Sequence, residues 1–122
     1  MARILVIDDE KSIRMLLRKV LERAGHQVTE ASDGEEGIAL YRQAPADLVI
    51  TDVFMPKKDG VETIADLRRD DPEVKIIAMT AHGEREGYNF LRVAEALGAA
   101  HTLGKPFAVD DVLNAVKTLL DA

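Results

Sequence analysis

Five times along the chain a short run of β-branched and aliphatic residues gives way to a stretch of helical periodicity, and no other feature restricts the possible fold as much. The runs are RILVI, QVTEA, DLVIT, KIIAMT and, more weakly, AHTL. After the first, Ile13, Leu16, Leu17, Val20, Leu21 and Ala24 recur at helical spacing and Gly25 follows as a stop. After the last, Val109, Val112, Leu113, Val116 and Leu120 repeat the pattern. Runs 1, 3 and 4 are almost continuously apolar, as strands of a parallel sheet covered on both faces must be. The second alternates and is expected at an edge. Right-handed crossovers then favour an α/β architecture, an open doubly wound parallel sheet that binds its ligands beyond the carboxyl ends of the strands.

The chain has 122 residues, 47% hydrophobic and 31% charged, which predicts one globular domain spanning residues 1–122. A formal net charge of -6 repels nucleic acid and anionic membranes, so no direct nucleic-acid binding by this chain is expected. There are no cysteines, hence neither disulfides nor thiolate metal sites. The first apolar run, ILVI, is far too short for a signal peptide, and nothing later approaches a membrane span. The expectation is a soluble, cytoplasmic protein with no membrane insertion.

The strand exits carry the chemistry. Asp8 and Asp9 follow the first strand, Asp52 ends the third, Thr80 ends the fourth, and Lys105 with Pro106 follows the fifth. Carboxylates gathered within a few ångströms oppose one another's ionisation unless a hard cation with oxygen ligands neutralises them, and Mg²⁺ fits that description. An aspartate with an ordinary pKa of about 4 is ionised at neutral pH and needs no general base to act as a nucleophile. Phosphoryl transfer onto Asp52 is the candidate chemistry, with Mg²⁺ and Lys105 holding phosphoryl oxygens and the Thr80 hydroxyl bonding to one.

The stretches IDDE (7–10), TDVFMPKKDG (51–60), MTA (79–81) and GKPF (104–107) together resemble the receiver domains of two-component response regulators, and the likeness covers essentially the whole chain. It implies a flavodoxin-like sheet of five parallel strands in the order 2-1-3-4-5 with five helices. It also implies Asp52 as phosphoacceptor, Asp9 as a direct Mg²⁺ ligand, Asp8 as a ligand through water, and the Phe54 backbone carbonyl as a further ligand. Thr80 and Lys105 become the switch pair, and a histidine kinase or phosphotransfer protein the donor. The surface made by the fourth helix, fifth strand and fifth helix would then signal to a downstream protein or output domain. Such a domain is a switch that assists its own phosphorylation and dephosphorylation rather than an enzyme.

Plainer readings stand beside these. Asp8 and Asp9 serve equally well as caps of the following helix, since acidic residues suit a helix N-terminus. Gly34 and Gly37 in SDGEEG suit turn and packing chemistry better than a phosphate cradle, and His26, His82 and His101 share no metal-ligand spacing. A nucleotide- or flavin-binding module needs a glycine-rich turn after the first strand, where this chain has DDEKS. A phosphatase with an aspartyl-phosphate intermediate is the stronger rival, but it normally has a second aspartate two residues after the nucleophile, where Phe54 stands. The chain also departs from the receiver pattern. Thr102 occupies the position, three before Lys105, where receivers commonly carry Tyr or Phe. The stretch from Thr80 to Lys105 is longer than usual, with Phe90, Val93, Ala94 and Leu97 forming an apolar stripe behind Gly83 and Gly87.

Overall fold

The computed structural model describes residues 2–53, 60–80, 96, 98–104 and 107–121, with only the backbone of Thr80. The elements follow the alternation in the sequence: β1 (Arg3–Ile7), α1 (Lys11–Arg23), β2 (Gln27–Ala31), α2 (Gly34–Gln43), β3 (Leu48–Asp52), α3 (Gly60–Asp70), β4 (Ile76–Thr80), β5 (His101–Gly104) and α4 (Val109–Leu120). Here α4 is the helix expected fifth. The one expected fourth, with its stripe from Phe90 to Leu97, lies outside the described residues, as do Phe54, Lys57, Lys58, His82, Gly83, Gly87, Lys105 and Pro106.

The strands form one parallel sheet in the order β2-β1-β3-β4-β5. The alternating β2 lies at an edge, where Val28 and Ala31, one in each core, are buried while Gln27 and Thr29 are exposed. β3 sits at the centre and is buried along its whole length. Because successive side chains point to opposite faces, each inner strand feeds two cores. Leu5 and Ile7 of β1 join Val49 of β3 and Ala78 of β4 beneath α2 and α3, with Ile38, Ile64 and Leu67 completing that layer. Ile4 and Val6 face the other way with Leu48, Ile50, Ile77 and Met79, covered by Leu17 and Leu21 of α1 and by Val112 and Val116 of α4. Full burial of each such side chain contributes about 1.5 to 3 kcal/mol, so these two layers dominate the stability.

Two expectations about helix faces need correction. Leu16 is 43% exposed and Val109 45% exposed, because α1 and α4 each present a narrower apolar stripe to the sheet than the sequence pattern suggests. Gly37 has a packing role: a Cβ there would overlap the side chain of Ile7, so its absence lets α2 lie close against β1. Asp33, rather than a glycine, caps α2 by accepting a 2.9 Å hydrogen bond from the Glu36 amide.

Candidate functional site

The register between β1 and β3 pairs Ile7 with Thr51, so Asp8 and Asp52, one residue further along each strand, stand side by side at the carboxyl end of the sheet. Both are buried, at 0% and 4% exposure, although they carry the most strongly hydrated kind of side chain. Parallel pairing carries both strands into the same mouth.

Each carboxylate sits on a well-anchored backbone. The Asp8 amide donates to the Ala31 carbonyl of β2 at 3.1 Å, and the Asp8 carbonyl accepts from Arg14 Nη1 at 2.6 Å. Asp8 Oδ1 accepts from the Glu10 amide at 2.8 Å, a turn that a short acidic side chain forms with the residue two ahead. The capping reading is therefore realised in altered form: Glu10 is the N-cap of α1 and makes no side-chain cap bond, while Asp8 bonds the amide just before the helix. At β3 the Thr51 hydroxyl donates to the Asp52 carbonyl at 3.1 Å. Beyond Asp52 the Val53 amide donates to the Met79 carbonyl at 2.9 Å, and the Gly60 amide closes back onto the Val53 carbonyl at 2.8 Å.

Asp8, Glu10 and Asp52 each offer a carboxylate oxygen, and those oxygens lie within 4.8 Å of one another. Three hard oxygen donors in that space suit a small divalent cation such as Mg²⁺, which takes one or two carboxylates and completes its shell with water or phosphate oxygens. The donor set thus fits the metal that the strand ends imply. Asp9 is exposed and is not one of the three. The sequence reading passed over Glu10, though a signal was present: in an extended run the first and third residues point to the same side, and in Asp8-Asp9-Glu10 that pairs Asp8 with Glu10.

Of the remaining candidates, Thr80 pairs in the β4–β5 register with Gly104, the residue before Lys105. The hydroxyl of Thr80, the Phe54 carbonyl and the Lys105 ammonium fall outside the described residues. Thr102 is half-buried on β5 opposite Ala78, so no aromatic ring stands at that point of the strand.

Residues 4–117 match the family described as the response regulator receiver domain. This chain belongs to that family. The receiver is 33% identical over 118 residues to sporulation initiation phosphotransferase F of Bacillus subtilis, covering 97% of this chain and 93% of that protein. It is also 33% identical over 117 residues to the chemotaxis protein CheY of Thermotoga maritima, covering 93% of each. Among solved structures, the receiver superimposes on CheY4 of Vibrio cholerae with a TM-score of 0.88 at 31% identity, over 98% of both chains. A receiver domain protein from Clostridium thermocellum gives a TM-score of 0.89 at 32% identity, over 99% of this chain and 95% of that one. The β2-β1-β3-β4-β5 sheet is thus the flavodoxin-like receiver fold implied by the motifs. No helix among the described residues is long and apolar enough to cross a membrane.

Proposed function

We propose that this receiver is a phosphorylation switch in which Asp52 accepts a phosphoryl group from the phosphohistidine of a histidine kinase or phosphotransfer protein. The observation that carries this reading is the buried Asp52 carboxylate ending the central strand within 4.8 Å of two further carboxylates. Such a group is positioned at no entropic cost at the moment of attack. An Asp52 oxygen forms the new bond to phosphorus as the phosphorus–nitrogen bond of the donor breaks, the electron pair leaving on the imidazole. Asp8, Asp52 and either Asp9 or Glu10, with the Phe54 carbonyl, would hold Mg²⁺. When bound, that ion neutralises the negative charge gathered between the acceptor and the incoming phosphoryl oxygens. Lys105 supplies a second positive charge, and Thr80 a hydroxyl that bonds the attached phosphoryl group. The switched surface comprises the fourth expected helix, β5 and α4, and its reader is a downstream protein or an output domain in the cytoplasm.

The test is intact-mass analysis after incubation with acetyl phosphate and Mg²⁺, with no kinase present. One added phosphoryl group is expected on the parent and none on Asp52→Asn, and undiminished labelling of that variant would refute the assignment. A phosphatase-like activity of the same carboxylate is the second reading, and sustained multiple turnover of a phosphomonoester would favour it.

A further inference from the structure

Among the hydrogen bonds that locate the turn carrying two of the three clustered carboxylates, one comes from a side chain outside the cluster. We infer that Arg14 is a positioning residue for the cation site, tying the Asp8-to-Glu10 turn to the edge strand β2; the inference rests on the phosphorylation-switch reading above. Arg14 Nη1 donates to the Asp8 carbonyl at 2.6 Å, while its Nε donates to Glu30 Oε1 at 3.1 Å. Glu30 in turn takes Arg18 Nη1 on its second oxygen at 2.7 Å, and Arg18 Nη2 reaches the Val28 carbonyl at 2.7 Å.

This is not an ordinary surface ion pair. The Arg14 and Glu30 side chains are only 15% and 21% exposed, and both oxygens of one carboxylate are engaged. Glu30 lies beside Val6 in the β1–β2 register, and its neighbour Ala31 accepts the Asp8 amide. Both backbone polar groups of Asp8 are therefore referred to β2, the amide directly and the carbonyl through Arg14. Since Asp8 Oδ1 in turn holds the Glu10 amide at 2.8 Å, fixing the Asp8 backbone also fixes where the next carboxylate of the cluster begins. The guanidinium fork suits the task, because it donates in two directions from a rigid plane, whereas a lysine offers a single charged centre.

Positioning and simple electrostatics predict opposite signs. As a nearby positive charge Arg14 opposes cation binding, so its removal would tighten Mg²⁺ if charge were all that mattered. As a positioner it pre-forms the site, and its removal weakens Mg²⁺. Partners that orient metal ligands typically contribute roughly 10- to 100-fold in metal affinity, so a loss of about tenfold is the scale to look for.

The experiment compares the parent chain with Arg14→Ala, Arg14→Lys and Glu30→Gln by NMR titration with MgCl2 alone, by amide exchange at Glu10 in metal-free buffer, and by acetyl phosphate labelling. Both Arg14 variants should bind Mg²⁺ about tenfold more weakly and exchange the Glu10 amide faster. Their labelling rates should recover towards the parent's at saturating Mg²⁺. Glu30→Gln should weaken binding in the same direction, and combining it with Arg14→Lys should add little, because the two residues act as one unit. Should Arg14→Ala fail to fold, Arg14→Lys carries the test, because it keeps the charge, whereas Glu30→Gln would weaken Mg²⁺ binding through loss of charge as well. Unchanged or tighter Mg²⁺ binding in the folded variants, or full rescue by lysine, overturns the positioning role while leaving the switch reading intact. Failure of the parent itself to bind Mg²⁺ and take up a phosphoryl group overturns both.

Discussion

Gly60 lies directly against the backbone of Asp52: a Cβ at Gly60 would overlap the Asp52 carbonyl and come within 2.5 Å of the Val53 Cα. The first residue of α3 is therefore pressed onto the end of the strand that presents the Asp52 carboxylate. Neither neighbour is a flexible side-chain tip, so nothing nearby yields cheaply. Gly60→Ala should cost about 1 to 3 kcal/mol in urea unfolding and should slow acetyl phosphate labelling, because the shift falls on Asp52 itself. Parent-like values for both would show that the strand end relaxes freely.

Asp52 shares its space with two other carboxylates, and unit charges about 5 Å apart repel by roughly 3 kcal/mol at an effective dielectric of 20 before solvent and hydrogen bonding reduce it. In metal-free buffer Asp52→Asn should therefore be more stable than the parent by about 1 kcal/mol. Mg²⁺ should stabilise the parent, in proportion to the logarithm of its concentration above the dissociation constant, and the variant less. Calorimetric melting with EDTA and with MgCl2 checks both halves. A variant that is less stable without metal would count against repulsion within the cluster.

Glu10 stands in the cluster where the family resemblance names Asp9. Separate Asp9→Ala and Glu10→Ala variants decide which carboxylate Mg²⁺ uses. The residue that ligates the ion should lose roughly tenfold or more in affinity and the other only the small effect of one exposed charge. NMR titration is the measurement, since the chain has no tryptophan to report by fluorescence.

Away from the site, the Tyr41 hydroxyl donates to Asp71 Oδ2 at 2.7 Å across the α2–α3 seam. That bond, with the one from the Glu73 amide, holds the Asp71 carboxyl below the usual carboxylate range, while burial and the adjacent carboxylate push the Tyr41 phenol upward. A depressed Asp71 adds stability above the unfolded aspartate value near 4, which is lost as pH falls through the lower folded value. A raised Tyr41 adds stability that is complete below its unfolded value of about 10 and lost as pH rises beyond it. Tyr41→Phe should thus have a lower urea midpoint than the parent at pH 7, and the gap should narrow by pH 3. A gap independent of pH would mean that the hydroxyl contributes through packing alone.

With Thr102 where receivers commonly carry a ring, the proposed phosphorylation switch would have no aromatic side chain to move at that point of β5. The beryllofluoride mimic with Mg²⁺ should perturb amide shifts across residues 81–97 as well as near Asp52. The mimic can move the balance between a resting and an activated arrangement only by its difference in affinity for the two, about 1.4 kcal/mol for each tenfold change. Changes confined to residues touching Asp52 would sink this route.

Local pattern was enough to find every described strand to within a residue, because inner strands covered on both faces are built mainly from apolar side chains, as in RILVI and DLVIT, and their shortness and β-branched content separate them from helices. The edge position of β2 was legible for the same reason, from the alternation in QVTEA. The acidic strand exits were also visible, since Asp8, Asp9 and Asp52 end apolar runs, and for the buried Asp8 and Asp52 that has a cost which only a ligand or a strong partner offsets. What the linear pattern could not contain was the pairing of residues distant along the chain. That Asp8 meets Asp52 depends on the Ile7–Thr51 register, and the strand order came from family likeness rather than from periodicity. That Glu10 rather than Asp9 completes the described cluster depends on the turn held by the Asp8 side chain, and Arg14 gains its role only because α1 lays it against both the Asp8 carbonyl and Glu30. Hydrophobic pattern and periodicity are properties of neighbours in sequence, whereas the direction in which a charged side chain finally points is set by hydrogen-bond partners that only the assembled sheet supplies.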